Sequence, residues 1–231
     1  MAGLKTKKRG EFKLNKAIVF DFDGVIIDSL ELQKFAYEKS YQIVIGKPPK
    51  RFSEFITYSG SSLTHIISSM NLPEEMCDKY IEISRERLDL IKVFPGAKQL
   101  LERLKAGQYK CGLCTGKDRE RTIEILKIMD LYSYFDAIVC SDDVNNPKPH
   151  AESLQLVTRK LKVRNVDCLM VGDSKNDILC AKNAKIISVA VDWGAFDKET
   201  LLKKSPDYYV ENFDKLYNCI GSHFNIQDHT F

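Results

Sequence analysis

Short apolar runs alternate with amphipathic segments along most of the chain, and this alternation predicts its secondary structure. The first run, 17–20, is entirely apolar, which is typical of a strand buried on both faces of a parallel sheet. Later runs predict further strands, separated by segments whose apolar residues recur at helical spacing. The predicted strands are 109–114, 137–140, 168–171, 186–191 and 208–210, and the predicted helices are 97–105, 118–129, 152–160 and 178–183. Such alternation favours a parallel sheet with helices on both faces.

The segment between residues 28 and 93 has a different pattern, with helical spacing throughout and no convincing strand. One helix follows Asp28 and Ser29, which can cap it, and continues through Tyr41. Further helices are predicted at 51–58, 61–70 and 74–91. We therefore predict the α/β class: a Rossmann-like parallel sheet core with an inserted all-helical cap domain. The expected core comprises 1–24 and 94–231, the helical insertion comprises 25–93, and 1–15 form a disordered tail.

Composition and charge exclude several classes of protein. The 231 residues are 44% hydrophobic and carry a formal net charge of +3, as in ordinary globular proteins. No apolar run approaches the ~20 residues that span a bilayer, and the N-terminus lacks the layout of a signal peptide. We therefore expect a cytoplasmic protein without a membrane partner. The basic residues over 5–16 are interpreted as a solvated tail, because no nucleic-acid-binding motif accompanies them.

The cysteines and the C-terminal histidines have ordinary explanations. Seven cysteines without paired spacing fit a reducing compartment. Cys111 and Cys114 have redox-like spacing, but residues three apart in a strand face opposite sides, which places them too far apart for a disulfide. His223 and His229 lie in a segment, 222–231, that we interpret as a frayed terminus. The pattern does not distinguish a monomer from a homodimer.

Two carboxylates at the end of the first strand predict a cation site. Asp21 and Asp23 are two residues apart, so in extended backbone they project to the same side. Carboxylates so close repel unless a proton or a cation lies between them. Oxygen ligands suit a hard ion such as Mg²⁺. Gly24 then allows the chain to turn sharply away from the strand.

Three further polar clusters follow predicted strands or occupy loops: 115–117, Lys148 between two prolines, and 172–177. Taken singly, these clusters are typical of helix caps, a solvated loop lysine and an acidic helix start. A parallel sheet brings strand ends that are distant in sequence to one edge. Their joint occurrence in this order favours a shared site.

The combined residue types suit phosphoryl transfer, which mainly requires positioning and charge neutralisation. Asp21 can attack phosphorus, and Asp23 can protonate the leaving oxygen and then deprotonate water. The segment Thr115, Gly116 and Lys117 can bind a phosphoryl oxygen where a helix begins, and Lys148 can balance negative charge. The expected metal site comprises Asp21, Asp23 through its backbone carbonyl, Asp173, and Asp177, which would orient a metal-bound water or the lysine.

Together these motifs resemble the haloacid dehalogenase superfamily, in the order of its four motifs, over about 16–216. The helical insertion and the segment Val171 to Asp177 are similar to the C1-capped, phosphoglycolate-phosphatase-like branch. The resemblance implies a Mg²⁺-dependent phosphatase that hydrolyses a small phosphorylated metabolite through an aspartyl-phosphate. In that branch the second motif commonly reads Thr-Asn-Lys. The glycine at 116 occurs in relatives from specialised metabolite pathways, so the substrate stays open.

The resemblance leaves alternatives within the same superfamily. Carbon–halogen hydrolysis is disfavoured because true dehalogenases lack the aspartate equivalent to Asp23. A sugar phosphomutase is disfavoured because no arginine follows Gly60 in the segment 60–63, and Gly172 stands where mutases have an acid. A phosphonatase would need a cap lysine, for which Lys47 and Lys50 are weak candidates.

A non-catalytic binding or regulatory protein of this fold is the remaining alternative, and the intact pair of aspartates argues against it. Specificity should come from the insertion, which would close over the site and exclude water. Its expected hinges are 25–29 and 91–95. The resemblance implies that the leaving group faces Gly60, Ser61, Ser62 and His65.

Overall fold

The computed structural model describes residues 15–224, and its centre is a six-stranded parallel sheet. In chain order the elements are β1 (Ala17–Phe20), β2 (Ile27–Asp28), α1 (Leu30–Ile45), α2 (Phe52–Ile56), α3 (Leu63–Ser69), α4 (Glu75–Glu86), β3 (Lys92–Val93), α5 (Ala97–Ala106), β4 (Lys110–Cys114), α6 (Arg119–Ile128), β5 (Ala137–Val139), α7 (Glu152–Leu161), β6 (Cys168–Gly172), α8 (Lys175–Ala184), β7 (Ile187–Val191), α9 (Lys198–Leu202), β8 (Tyr208–Val210) and α10 (Phe213–His223).

The strand order of the large sheet is β5-β4-β1-β6-β7-β8. β1 lies between β4 and β6 and pairs in parallel with both along its whole length. The chain passes from β1 to β4 and β5 on one side of β1, and then crosses to β6, β7 and β8 on the other side. The carboxyl end of β1 therefore lies at the point where the strand order reverses. Open α/β sheets bind ligands at this point. The topology therefore directs attention to the residues that follow β1, β4 and β6.

Alternating residues of β1 enter two separate hydrophobic layers. Ile18 and Phe20 pack into the larger layer, which also contains residues of α5, α6 and α10. Ala17 and Val19 pack into the other, with residues of α7 and α8. Because every side chain of β1 is fully buried, the strand reads as a continuous apolar run rather than an alternating one. Burying a side chain such as Phe20 contributes about 2–3 kcal/mol.

The helical insertion has a hydrophobic cluster of its own, centred on aromatic rings of α1, α2 and α4. The ring of Tyr37 lies 5.0 Å from that of Phe55, which in turn stacks on Tyr80 at 5.7 Å between centroids. The predicted fold class, a parallel α/β sheet with an inserted helical segment, is confirmed.

Several predicted boundaries were wrong. The insertion begins and ends in a two-stranded antiparallel ribbon, β2 and β3, although no strand was predicted between 28 and 93. Strands of two residues are too short to show a periodicity. The helix predicted over 74–91 ends at Glu86, and a 3₁₀ turn, Leu88–Leu90, follows it. Helices α9 and α10 were not predicted.

The two termini are only partly described. The predicted disordered tail lies outside the described residues except for its last position, and so does His229. His223 ends α10 and contacts the hydroxyl of Tyr208, so this part of the expected frayed terminus is helical. Within residues 15–224, no helix is long and apolar enough to cross a membrane.

Candidate active site

Asp21 lies directly after β1, where the sheet still determines its position. Its backbone N–H donates to the carbonyl of Val171 at the end of β6 (2.9 Å), so the ladder between the two strands extends to this residue. Its side chain is buried against Lys148, whose Nζ lies 2.9 Å from Asp21 Oδ1. Lys148 Nζ also donates to Asp177 Oδ1 (2.6 Å). Lys148, which follows β5, thus joins a residue that follows β1 to a residue that follows β6.

Asp177 is engaged through both of its carboxylate oxygens. Oδ1 accepts from Lys148, while Oδ2 accepts from the backbone N–H and the hydroxyl of Ser174. The Ser174 hydroxyl accepts in return from the Asp177 N–H, which completes a capping box at the start of α8. The local sequence Ser-x-x-Asp therefore caps the helix and fixes the orientation of the lysine partner.

The loop that carries Lys148 is held against α8 by two further contacts. Cys180 Sγ donates to the carbonyl of His150 (3.0 Å), and Asn183 Nδ2 donates to the carbonyl of Pro149 (2.9 Å). Lys148 is therefore bound to one helix through both its side chain and its loop.

Three carboxylates, Asp21, Asp173 and Asp177, have oxygen atoms within 4.8 Å of one another. All three side chains are buried. Burial raises the pKa of Asp21 well above its usual range, and the neighbouring carboxylates add to this rise, although Lys148 opposes it. Burial and Asp177 likewise raise the pKa of Asp173 to about 7. The raised pKa values mean that the protein by itself does not fully stabilise the negative charges of these carboxylates.

Lys148 supplies part of the missing positive charge. Burial would lower its pKa, but the carboxylates of Asp177 and Asp21 outweigh this effect and raise the pKa well above its ordinary value. Lys148 is therefore a permanent cation within this cluster.

The donor set fits a divalent cation such as Mg²⁺. Among residues 15–224, Asp21 Oδ1 is a buried oxygen without a hydrogen-bond partner, since its approach to Lys148 lacks hydrogen-bond geometry. Asp173 accepts one hydrogen bond, from the Ala195 N–H (2.8 Å), through Oδ2. Carboxylate oxygens of this kind are the ligands that Mg²⁺ takes in proteins. Asp177 is better suited to hold Lys148, because both of its oxygens are already used.

Asp23 faces a different environment from Asp21. Its carboxylate accepts a hydrogen bond from the Ser29 hydroxyl and lies 3.3 Å from Lys117 Nζ. The side chain is partly exposed, unlike that of Asp21. Ser29 makes no side-chain cap for α1, the role predicted for it. The two aspartates that follow β1 are therefore held by separate partners.

The segment after β4 has the features of an anion site. The backbone N–H of Lys117 donates to the Thr115 hydroxyl (3.2 Å), which forms a tight turn before α6. Asp118 caps α6 by accepting from the Arg121 N–H. The turn and the helix start place backbone donors and Lys117 on one side of the carboxylate cluster.

Gly116 permits the insertion to approach the sheet. A Cβ atom at this position would lie 2.4 Å from the Ser61 carbonyl oxygen and 3.0 Å from that of Gly60. The unusual glycine in the second motif therefore has a steric reason. Gly60 is constrained as well, because its φ is +84° and a Cβ there would lie 2.3 Å from the Ser174 hydroxyl.

A cavity of about 170 Å³ lies between the sheet edge and the insertion. Two lining residues of the insertion are tied to α8, since the amide of Asn176 donates to the Ser59 carbonyl (2.8 Å) and to the Ser61 hydroxyl (3.0 Å). The lining includes most of the residues predicted for the site: Asp21, Asp23, Gly60, Ser61, Thr115, Gly116, Lys117 and Asp173.

Two of the predicted specificity residues do not line this cavity. The Ser62 hydroxyl caps α3 by accepting from the His65 N–H (3.3 Å). His65 is exposed, and its imidazole contacts the hydroxyl of Ser69 one turn further along. Both side chains point away from the cavity because they belong to the outer surface of the first turn of α3.

Several lining residues were missed by the sequence analysis: Ser29, Gln33, Phe55, Tyr80, Arg121 and Trp193. Phe55 and Tyr80 stand at ordinary helical core positions, where no local signal distinguishes a cavity wall from a buried face. Arg121 differs, since it follows Lys117 by four residues on a helix that starts at the site. Asp143, without an assigned role, forms an ion pair with Arg119 and accepts from the Cys140 N–H.

The chain is similar to known hydrolases in sequence and in fold. The family model described as haloacid dehalogenase-like hydrolase matches residues 18–191. Pyrophosphatase PpaX of Bacillus mycoides is 32% identical over 208 residues, covering 88% of this chain and 95% of the relative. Pyrophosphatase PpaX of Bacillus velezensis is 30% identical, covering 89% and 96%. A predicted phosphoglycolate phosphatase from Haemophilus somnus shares the fold, with a TM-score of 0.79, 21% identity, and coverage of 91% and 99%.

Proposed function

Because the chain belongs to the haloacid dehalogenase-like hydrolase family, we propose that it hydrolyses a small phosphorylated metabolite through an aspartyl-phosphate on Asp21, with Mg²⁺ bound at the sheet edge. The similarity to relatives that are named pyrophosphatase shows that the chain is a phosphatase of this family. The proposal of an aspartyl-phosphate and a Mg²⁺ site rests on the buried Asp21 carboxylate, which faces both a lysine and two further carboxylates.

In the first half of the proposed reaction, an oxygen of Asp21 forms a bond to phosphorus while the bond between phosphorus and the leaving oxygen breaks. Asp23 donates a proton to the leaving oxygen. Its contacts with Ser29 and Lys117 hold the carboxyl group beside the cavity. Lys148 stays charged and offsets the negative charge that develops around Asp21.

In the second half, water attacks phosphorus and Asp23 takes the proton from that water. The bond between phosphorus and Asp21 breaks, which releases phosphate and restores the carboxylate. Thr115 and the backbone N–H groups of the following turn would bind the phosphoryl oxygens during both steps. Asp173, Asp21 and the Asp23 carbonyl would hold Mg²⁺, which supplies positive charge to the phosphoryl group when bound.

The insertion is proposed to act as the cap domain, bounded by 25–93, over a core formed by 1–24 and 94–231. The contacts of Asn176 with Ser59 and Ser61 support a closed position of this cap over the cavity. The ribbon of β2 and β3 lies within the proposed hinges, 25–29 and 91–95. Closure would exclude bulk water before phosphoryl transfer.

The insertion supplies no cation to the cavity wall within the part of the chain that the structure describes. Lys47 and Lys50 are exposed, and Lys50 lies against the carbonyl of Met70. This arrangement does not support a phosphonatase, which needs a cap lysine, nor a sugar phosphomutase, which needs a cap arginine. Inorganic pyrophosphate is the first substrate to test, because two curated relatives carry the name pyrophosphatase.

The decisive experiment is Asp21→Asn in an assay of phosphate release from pyrophosphate and from an aryl phosphate. We expect the rate to fall by about 10⁴-fold or more, because the nucleophile is removed. Circular dichroism and thermal unfolding should show an intact fold. Wild-type activity should disappear with EDTA and return with Mg²⁺.

The matched control is Asp214→Asn, which makes the same change at an exposed carboxylate on α10. Its activity should equal that of the wild type. Substantial phosphate release by Asp21→Asn would contradict the nucleophilic role of this residue.

A further inference from the structure

Arg121 is a buried cation whose charged end faces the cavity. The residue belongs to the first turn of α6, is 6% exposed, and lines the cavity together with Lys117. Its Nε donates to the Asp118 carboxylate, which fixes the plane of the guanidinium group. Among residues 15–224, neither terminal nitrogen of Arg121 takes part in a hydrogen bond. The four N–H donors of the two terminal nitrogens therefore have no partner among the described residues, and three of them point away from the edge that binds Asp118.

Arg121 lies at a different part of the cavity wall from the proposed phosphoryl site. Its guanidinium carbon lies 5.8 Å from the centre of the Tyr80 ring, so it reaches the wall formed by the insertion. Lys148, by contrast, lies at the sheet edge between Asp21 and Asp177. Tyr80 is close to both Arg121 and Asp23, since the charges of both shift its pKa. Arg121 and Asp23 thus both lie near Tyr80 at the cavity, and a leaving group protonated by Asp23 would lie in this part of it.

Both cations that the structure describes on the cavity wall have a carboxylate partner, but Lys117 has its partner within the proposed catalytic group. Lys117 Nζ lies 3.3 Å from the carboxylate of Asp23, the proposed acid for the leaving oxygen. The wall contributed by the insertion near Arg121 consists of uncharged side chains, including Phe55, Leu63 and Tyr80. An anionic group on the substrate would therefore find the unpaired guanidinium donors of Arg121 in a poorly solvated setting, where charge-assisted hydrogen bonds are strongest.

We propose that Arg121 is a specificity-determining residue that binds a second anionic group, phosphate or carboxylate, on the leaving group of the substrate. This inference rests on the proposed function and narrows it to substrates with such a group beside the phosphoryl group removed. Arginine suits this task because its planar fork matches phosphate and carboxylate oxygens in a bidentate manner. The ion pair with Asp118 would keep the fork in place when the cavity is empty.

The test compares three substrates in the wild type, Arg121→Gln and Arg121→Lys. Pyrophosphate and phosphoglycolate carry a second anion, as a phosphate and a carboxylate respectively, while phenyl phosphate has an uncharged leaving group. For Arg121→Gln we expect kcat/KM to fall by roughly 10- to 100-fold with an anionic leaving group. With phenyl phosphate it should change less than about threefold, since no charge-assisted bond is lost. Arg121→Lys should recover part of the loss. The larger loss with pyrophosphate or with phosphoglycolate identifies the anion.

A binding measurement separates recognition from turnover. Methylenediphosphonate, a non-hydrolysable analogue of pyrophosphate, should bind Asp21→Asn measurably by calorimetry in the presence of Mg²⁺. The double variant with Arg121→Gln should bind it about 10- to 100-fold more weakly. The matched control is Arg119→Gln, which removes an arginine two residues away that pairs with Asp143 outside the cavity. It should leave the ratio between the substrates unchanged.

The inference fails if Arg121→Gln lowers kcat/KM equally for all three substrates, or leaves both the anionic substrates and the binding of methylenediphosphonate unaffected. Loss of turnover in the wild type on every probe, or full activity of Asp21→Asn, would overturn the proposed function instead. The two failures are therefore distinguishable.

Discussion

The two walls of the cavity are stabilised in different ways. On the sheet side, charges are buried against one another, and the side chains of Lys148 and Asp177 are each only 1% exposed. On the insertion side, the wall is mostly apolar or uncharged apart from Asp28 at its edge, and it is backed by the aromatic cluster around Tyr37 and Phe55. A buried charge that loses its partner is costly, whereas apolar positions accept many substitutions of similar volume. The sheet side is therefore expected to tolerate few substitutions, whereas the insertion side is expected to tolerate more.

The polar contacts that join the two walls are of modest strength. Asn176 binds the loop at Ser59 and Ser61 through two hydrogen bonds, each worth about 1 kcal/mol net. Arg85 of α4 pairs with Glu120 and Glu124 of α6, but these side chains are partly exposed, and such pairs contribute about 1 kcal/mol or less. Each of these polar contacts between the insertion and the core is therefore weak on its own.

Among the variants that test this comparison of the two walls, Lys148→Met should have the largest effect, because it breaks the sheet side. Asp21 and Asp177 would lose their shared cation. We expect kcat to fall by about 10³-fold and the free energy of unfolding to fall by about 3 kcal/mol. Steady-state kinetics and urea unfolding measure the two quantities. The control is Lys160→Met at an exposed position on α7, which should change neither. A kcat of Lys148→Met close to that of the wild type would contradict the prediction that the buried charges of the sheet side are required for activity.

A smaller effect is expected for Gly116→Asn, which tests the approach of the two walls. The new Cβ would collide with the carbonyl oxygens of Ser61 and Gly60 and would hold the insertion away from the sheet. We expect kcat/KM to fall by about 10- to 100-fold, since small displacements of a closing element have effects of this size. Amide hydrogen exchange over 59–61 should become faster.

Gly46→Ala is the matched control for that variant. Gly46 has a φ of +70°, and a Cβ atom at this position would meet no other atom within 4 Å. The substitution should lower the free energy of unfolding by about 1 kcal/mol through backbone strain without altering kcat/KM. Equal kinetic effects of the two variants would mean that the close approach at Gly116 is not needed for activity.

The smallest effect concerns an ion pair far from the cavity, at the opposite end of the sheet. Asp167 pairs with Arg164 and Lys16, and their hydrogen bonds lower the pKa of its carboxyl to about 2. In the unfolded chain the pKa of this carboxyl is near 4. The ion pair therefore stabilises the folded protein fully above about pH 4, and this stability is lost as the pH falls towards the folded-state pKa, about 2. Because the partners are partly exposed, Asp167→Asn should cost only about 1 kcal/mol at pH 7.

Urea unfolding of the wild type and Asp167→Asn at pH 7, 5 and 3 measures this contribution. The difference between the two proteins should be constant from pH 7 to pH 5 and should shrink by pH 3. A difference that grows as the pH falls would have the wrong sign for a carboxyl group with a lowered pKa.

Local patterns were sufficient for the framework of the sheet. The predicted runs that end at Phe20, Cys114 and Val171 agree with β1, β4 and β6 to within a residue or two, because buried parallel strands are marked by their own apolar composition. Elements without such a mark were missed. Ribbon strands β2 and β3 have two residues each, and α9 has five, so none is long enough to show a period.

The sequence by itself determined the order of the elements and placed Asp21, Thr115 and Asp173 at the ends of strands, since each of these features depends on neighbours in the chain. Only the tertiary structure decided which side chains share the cavity. It excluded Ser62 and His65, included Tyr80 and Arg121, and explained Gly116 by a carbonyl oxygen 55 residues away in the chain. The physical reason is that a cavity wall is formed by the packing of separate elements, whereas a local pattern records only whether a residue is buried.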